Sequence, residues 1–177
     1  MINIKYHENK LIYFLFYNFF LDLFYKLIFK DNYTIIKVKN KNQLKEIKLN
    51  KKYDLGFHKL SFIIPKNIYG SYRKGLINDH WAPLPLFKGR SSLEYAKLLG
   101  SKLIVTNHLV TKKIDAGKII LYSKINNFFP YLHIYFNISK RIVNSIIQLS
   151  QNKIIKSKSV EGKVFYKIHK WIKKRIN

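Results

Sequence analysis

The chain has 177 residues, of which 47% are hydrophobic and 16% aromatic, enough apolar mass for one domain with its own core and too much for intrinsic disorder. It contains no cysteine, which excludes disulfides, thiolate metal ligands and a cysteine nucleophile and fits a reducing, cytoplasmic location. Lys and Arg number 34 against 9 Asp and Glu, a formal net charge of +25. Such a charge attracts phosphates, nucleic acid or an anionic membrane. The lysines are spread along the chain, so compositional bias is favoured over a dedicated polyanion site.

The N-terminal part is predicted to contain a strand at residues 2–6 and an apolar helix at residues 11–29. A stretch of about 20 apolar residues can span a bilayer. Here Asn18, Asp22 and Lys26 are spaced four apart and would form one polar stripe along a helix. A helix packed on a sheet is therefore favoured over a membrane span or a signal peptide.

Strands then alternate with short helices, which is typical of a parallel α/β sheet. Pro65 suits the first turn of a helix over residues 66–69, which Gly70 can close. Ser91 and Glu94 have the spacing of a capping box and predict a helix that ends at Gly100. Further strands are predicted at residues 34–38, 54–60, 75–80, 103–108 and 118–122, and further helices at residues 43–47, 138–155 and, as a basic amphipathic tail, 164–176.

Three polar residues stand out from this pattern. Asn78 and His80 lie two apart on a predicted strand, so their side chains leave the same face. A loop rich in proline and glycine follows, at the end of the strand where α/β proteins bind ligands. Asp115 lies in a turn just before the next strand. Taken singly these are weak signals, because an Asn-x-His pair is often only hydrogen-bonded and an Asp before Gly often only forms a turn.

Together, the segments over residues 54–124 resemble the folate-dependent formyltransferase family. The resemblance lies in ordered motifs, upstream Asp54-Leu55 and Ile63-Ile64-Pro65, then Asn78-Asp79-His80, Leu84-Pro85-Leu86-Phe87-Lys88-Gly89, Val105-Thr106-Asn107-His108 and Ile114-Asp115-Ala116-Gly117. It implies an α/β, Rossmann-like fold with a mostly parallel sheet flanked by helices. It also implies an enzyme that moves a formyl group from 10-formyltetrahydrofolate to an amine, with no metal.

The resemblance gives the three polar residues chemical roles in formyl transfer, which passes through a tetrahedral intermediate. Asn78 would donate an amide N–H to the developing oxyanion. His80 would be a second donor when protonated, or would shuttle the amine proton. Asp115 would orient and charge the imidazole and accept a proton directly or through water.

Other site residues follow from the same resemblance. The folate is expected against two segments, Ser61, Phe62, Ile63 and Ile64 in one and Thr111, Lys112, Lys113 and Ile114 in the other. Trp81 and Pro83 would form a wall of the substrate pocket. Arg90 would meet a substrate phosphate or simply face solvent. His108 resembles a recurrent family histidine and is expected to support the site from behind more often than to act directly.

The chain departs from the family before Asn78, where only 77 residues precede it and the first strand lacks a following glycine loop. An abbreviated N-terminal part is therefore expected. These differences favour the sugar-nucleotide N-formyltransferases, whose acceptor is a nucleotide-linked amino sugar. A methionyl-tRNA formyltransferase-like core, or a non-catalytic basic scaffold that binds nucleic acid or membrane, stays open. Residues 1–160 are predicted to form the catalytic domain and residues 161–177 a basic amphipathic helix, in a protein that could form a homodimer.

Overall fold

The computed structural model of the protein describes residues 3–4, 34–36, 38, 40–49, 53–60, 62–125, 134, 137–155 and 162–176. The fold is α/β, with a mostly parallel sheet flanked by helices, as predicted. The chain forms two compact units, residues 1–77 and 78–177. No helix within the described ranges is long and apolar enough to cross a membrane. The predicted apolar helix at residues 11–29 lies outside the described residues. So does most of the N-terminal part that is predicted to be abbreviated.

The described residues of the first unit include two small parallel pairings and two short helices. Its helix at Lys41–Glu46 begins two residues before the predicted start, because the Asn40 side chain accepts hydrogen bonds from the amides of Asn42 and Gln43, both at 3.0 Å. The helix at Lys66–Tyr69 follows Pro65, and the Gly70 amide closes it on the Lys66 carbonyl at 2.8 Å, as predicted. The elements are β1 (Asn3–Ile4), β2 (Thr34–Ile35), α1 (Lys41–Glu46), β3 (Gly56–His58), α2 (Lys66–Tyr69) and the first two residues of β4 (Leu76–His80).

The second unit holds the rest of β4 together with most of the described helices. In this unit β4, β6 (Ile104–Leu109) and β7 (Ile119–Lys124) lie side by side in that order. β6 and β7 are antiparallel, with Thr106 opposite Tyr122 and an irregularity at Asn107 and His108. The elements are β5 (Phe87–Gly89), α3 (Ser92–Leu98), β6 (Ile104–Leu109), β7 (Ile119–Lys124), α4 (Ile138–Ser150), β8 (Lys163–Phe165) and α5 (Lys170–Ile176).

The predicted tail helix over residues 164–176 is wrong in its first part. Residues Lys163–Phe165 form β8, which pairs in parallel with β5. Phe165 packs against the ring of Phe87 at 5.4 Å and that of Tyr95 at 4.5 Å between centroids. Packing of this partly buried ring supports the pairing of β8 with β5, and only α5 is helical. The division of the chain at residue 160 stays a prediction.

The predicted capping box at the start of α3 is also wrong, although the helix is there. Ser91 has φ 55° and caps no amide of α3. Its hydroxyl oxygen instead accepts a hydrogen bond from the Ile168 amide at 3.2 Å. Glu94 forms an ion pair with Lys173 of α5. Both members of the expected box are therefore occupied in holding the C-terminal segment on α3.

Candidate active site

Asn78, His80 and Asp115 converge in the second unit. Asn78 and His80 come from β4, and Asp115 comes from the loop between β6 and β7. The Asn78 Nδ2 lies 3.4 Å from Asp115 Oδ1, and the His80 Nδ1 lies 3.5 Å from Asp115 Oδ2. The structure therefore brings together the three residues to which the sequence resemblance gives catalytic roles.

Asp115 is held by its own backbone conformation and by β5. Its φ of 46° lies in the left-handed region, which is unusual for a residue other than glycine and is often found at functional sites. The Gly89 amide donates a hydrogen bond of 2.7 Å to Asp115 Oδ2. Gly117 lets the loop pack closely on β6, because a Cβ there would lie 1.6 Å from the Leu109 carbonyl oxygen. The carboxylate is thus fixed from two directions.

His108 is a fourth member of the cluster. Its Nδ1 lies 3.0 Å from the Leu109 carbonyl oxygen, which can only accept, so this nitrogen carries a hydrogen. In the neutral ring Nε2 then accepts from Asn78 Nδ2, at 3.2 Å. It also lies 3.5 Å from Asp115 Oδ1. His108 has 2% of its side chain exposed and contacts the other three residues. Its supporting role stays a prediction.

His80 is oriented by a bond to the backbone. Its Nε2 lies 2.7 Å from the Phe87 carbonyl oxygen, so Nε2 carries a hydrogen and Nδ1 is the atom that gains or loses a proton. Burial lowers the pKa of His80 below its ordinary value of 6.5, although the negative charge of Asp115 opposes this shift. His80 is therefore mostly neutral at pH 7, with Nδ1 available to accept a proton.

Asp115 remains a carboxylate over the same pH range. Burial on its own raises the pKa of Asp115. A hydrogen bond from His108 when its ring is protonated, the charge of protonated His80 and the Gly89 hydrogen bond together lower the pKa to about 2. The Gly89 amide stabilises the charged form whatever the protonation state of the histidines. The site therefore pairs an ionised acid with a neutral base.

The Asn78 amide is occupied in the free protein. Its Nδ2 is directed at His108 Nε2 and at Asp115 Oδ1. At 3.4 Å the second contact is long for a hydrogen bond and is the weaker of the two. A reacting oxygen that approached Asn78 would draw this hydrogen away from Asp115.

The predicted substrate residues have different surroundings. Trp81 donates its indole N–H to Asp79 at 3.2 Å and packs on an apolar cluster. Pro83 is buried, and its carbonyl accepts from the Phe87 amide at 3.1 Å. Arg90 is exposed, and its amide donates to the Phe165 carbonyl at 2.9 Å. Their roles toward a substrate stay predictions.

The predicted folate residues fall in both units, and each group is described within its own. In the first unit Ile63 is 71% exposed and Ile64 only 6%, while Phe62 is half-buried and Ser61 lies outside the described residues. In the second unit Thr111, Lys112, Lys113 and Ile114 are all exposed. Thr111 donates a hydrogen bond to the Lys113 carbonyl within that loop. Folate binding by either group stays a prediction.

The sequence pattern did not single out a second polar cluster behind β4. Asp79 is fully buried, and its carboxylate accepts hydrogen bonds from Arg141 at 2.8 and 2.9 Å and from Asn107 at 3.0 Å. An acid within a predicted strand was the available signal, since buried carboxylates need partners. Arg141, 62 residues away, could not be foreseen as that partner.

Across the described part of the chain, no three His, Asp or Glu side chains form a metal-binding group. No family model matches the chain. Solved structures do match. A methionyl-tRNA formyltransferase from Clostridium thermocellum superposes with a TM-score of 0.64 and 20% identity, over 93% of this chain and 71% of that one.

The chain has a formyltransferase fold. The formyltransferase PseJ from Anoxybacillus kamchatkensis, solved with UDP-4,6-dideoxy-4-formamido-L-AltNAc and tetrahydrofolate, superposes with a TM-score of 0.60 and 18% identity, over 92% of this chain and 85% of that one. Formyltetrahydrofolate deformylase 2 of Arabidopsis thaliana is 42% identical over 59 residues, which are 33% of this chain. The chain covers only 18% of the length of that relative. The resemblance found in the sequence is thus confirmed in the fold.

Proposed function

We propose that the protein is an enzyme that transfers a formyl group from 10-formyltetrahydrofolate to an amino group. The observation that carries this proposal is the convergence of Asn78, His80 and Asp115 within hydrogen-bonding or ion-pair range on a formyltransferase fold. A neutral imidazole beside an ionised carboxylate and an amide donor suits acyl transfer through a tetrahedral intermediate. These are the groups such a reaction needs.

In the proposed reaction the amine nitrogen attacks the formyl carbon, and the carbonyl oxygen becomes an oxyanion. Asn78 donates its amide hydrogen to this oxygen in place of its long contact with Asp115. The proton lost by the amine passes to His80 Nδ1, next to Asp115. The bond from the formyl carbon to N10 of the folate then breaks, and this proton is delivered to N10, which leaves as tetrahydrofolate.

A nucleotide-linked amino sugar is the acceptor that we propose. Support comes from the fold shared with PseJ, which was solved with a UDP-linked formamido sugar and tetrahydrofolate. The exposed Arg90, next to Gly89 of the site, is a cation that could meet a diphosphate. A methionyl-tRNA acceptor is the alternative suggested by the other structural neighbour. The expected cytoplasmic location and homodimer remain parts of this proposal.

A second candidate is hydrolysis, in which water replaces the amine and formate is released. The similarity to formyltetrahydrofolate deformylase 2 favours it, because at 42% that match has a higher identity than the structural neighbours, although over a short segment. The same three side chains could activate water, since His80 Nδ1 accepts a proton from either nucleophile. The two reactions differ only in the acceptor.

One experiment separates these functions. The protein is incubated with 10-formyltetrahydrofolate alone, with a panel of UDP- and dTDP-linked amino sugars, and with methionyl-tRNA, while tetrahydrofolate, formate and formylated products are measured. Formylation of an amino sugar supports the proposal, and formate without an acceptor supports hydrolysis. His169→Ala is the matched control for His80→Ala, because His169 is exposed. No turnover of 10-formyltetrahydrofolate under any condition would refute both.

A further inference from the structure

The carboxylate of Asp79 is enclosed by partners from several elements. Arg141 of α4 binds it through Nε at 2.8 Å and through its terminal nitrogen at 2.9 Å. Asn107 of β6 donates at 3.0 Å and the Trp81 indole at 3.2 Å. The same terminal nitrogen of Arg141 also donates to the Ile134 carbonyl at 2.8 Å. The Asp79 side chain has 0% exposure and that of Arg141 has 4%.

The position of Asp79 on β4 gives this cluster its importance. It lies between Asn78 and His80, and alternation along a strand directs its side chain to the face opposite theirs. Any shift of the Asp79 backbone therefore moves both residues relative to Asp115. Because a paired guanidinium and carboxylate have a fixed, planar geometry, the pair restrains the orientation of this strand as well as its distance from α4.

Stability alone does not explain a buried ion pair. Taking two charges out of water is costly, and an apolar pair of similar volume is often as stable or more so. A directional role is the best-supported use of such a pair when its hydrogen bonds are fully satisfied and adjacent residues need fixed positions. Both conditions hold for the pair itself, since four hydrogen bonds converge on the Asp79 carboxylate, which lies between two residues of the site.

We propose that Asp79 and Arg141 are positioning residues, whose buried ion pair sets the placement of Asn78 and His80 for the reaction; the kinetic part of this inference rests on the proposed function. Asp79→Asn leaves Arg141 as a buried cation without a counter-ion. The double variant Asp79→Asn/Arg141→Gln has no buried charge but can still form hydrogen bonds between the two side chains. A positioning role for the pair therefore predicts a loss of kcat in the single variant and a recovery of kcat in the double variant.

The test measures kcat and KM separately, together with the NMR signals of the His80 ring and the Trp81 indole. For Asp79→Asn we expect kcat to fall on the order of 10- to 100-fold, as small misplacements of reacting groups do, with KM little changed. The double variant should recover most of this loss. Arg73→Gln, which removes an ion pair of the surface, is the matched control and should leave kcat unchanged.

Two kinetic outcomes would overturn the inference: an unchanged kcat in folded Asp79→Asn, or a loss that the double variant does not recover. The NMR signals decide the matter even if the wild-type protein shows no transfer, which would refute the proposed function alone. His80 and Trp81 signals that shift in Asp79→Asn and return in the double variant support positioning, and unchanged signals contradict it. If Asp79→Asn does not fold, Arg141→Lys, which keeps the charge but loses the two-bond geometry, is expected to show the same loss.

Discussion

At the scale of single residues, hydrogen bonds from the backbone determine which side-chain atoms of the site are already bound. The Phe87 carbonyl accepts a hydrogen bond from His80 Nε2, and the Gly89 amide donates one to Asp115 Oδ2. In the proposed mechanism the reacting atoms are His80 Nδ1 and the Asn78 amide hydrogen that is directed at Asp115 Oδ1. Each of these can be tested by a substitution or by pH.

Replacing Asn78 by Ala should lower kcat/KM by roughly 100-fold or more, which is typical for the loss of an oxyanion donor. The variant should fold, because Asn78 is only half-buried and loses one long and one ordinary hydrogen bond. Steady-state kinetics checks the rate, and circular dichroism checks the fold. Asn67→Ala is the matched control at an exposed position, and a variant at Asn78 with the wild-type rate would contradict the mechanism.

The activity should depend on pH through His80. Neutral His80 accepts the amine proton, and burial lowers its pKa below 6.5. The value of kcat/KM should therefore fall as the pH drops through that lowered pKa and should show no rise toward acid. A pH profile of kcat/KM with an amine acceptor whose own ionisation is known measures this. Activity that increases as His80 becomes protonated would instead favour a role for His80 as an oxyanion donor.

The stability of the protein should depend on pH through Asp115. Its pKa is about 2 in the folded protein against an ordinary value of 3.8, so between these values the unfolded chain binds a proton that the folded chain does not. The resulting contribution to the free energy of unfolding is on the order of 2 kcal/mol. It is present above about pH 4 and is lost as the pH falls to 2. Urea unfolding at several pH values should show this loss, and Asp115→Asn should reduce it. An unchanged acid dependence in that variant would contradict the assignment.

At the scale of elements, the site depends on the pairing of β5 with β8. Gly89 has φ 87°, and a Cβ there would lie 2.3 Å from the Phe165 carbonyl oxygen. The same residue donates its amide to Asp115. The short C-terminal strand, which the sequence pattern did not predict, is therefore packed directly against a residue of the site.

Gly89→Ala should destabilise the fold and reduce activity together. Gly100→Ala is the matched control, because Gly100 also has a positive φ, of 65°, but its Cβ would meet no atom within 4 Å. Each substitution carries a backbone penalty of about 1 kcal/mol, and only Gly89→Ala adds the clash with β8. We expect a larger loss of unfolding free energy for Gly89→Ala in urea titrations, and an equal loss in both variants would contradict the contact.

The elements that the sequence predicted well are those decided by local chemistry. Pro65 precedes α2 and Gly70 ends it, because each restricts or closes the backbone of its own segment. The strand predicted at residues 75–80 contains β4. The misplaced elements depend on partners far along the chain. Ser91 binds Ile168, and Phe165 packs on Phe87. No spacing within either segment reveals such contacts.

The residues in and around the site also fall into those that the sequence predicted and those that it did not. The convergence of Asn78, His80 and Asp115 could be predicted because their motifs resemble those of a family in which the three residues act together. Asp79 and Arg141 could not, because an ion pair across 62 residues leaves no local pattern. The tertiary structure was needed to find the pair.

At the scale of the whole molecule, the net charge of +25 raises the question of a dedicated polyanion site. The C-terminal segment is the strongest candidate, since Tyr166 and Trp171 are 80% and 56% exposed next to exposed lysines. Its apolar side is used inside the protein, where Phe165 packs on aromatic rings and Ile168 is buried. The exposed aromatics could stack on bases, but lysines are equally exposed elsewhere.

Two triple variants separate a dedicated site from general bias. One variant changes three lysines of the C-terminal segment to Gln, Lys167, Lys170 and Lys174. The other changes three lysines around α1 to Gln, Lys41, Lys45 and Lys48. All six lysines are exposed. Both lower the net charge equally. If the charge acts as a general field, both should weaken binding to single-stranded RNA to a similar degree and reduce its salt dependence alike, because each lost phosphate contact lowers the slope by about one unit at most. Fluorescence anisotropy across a salt series measures both quantities. Loss of binding in the C-terminal variant alone would show a dedicated site and contradict this prediction.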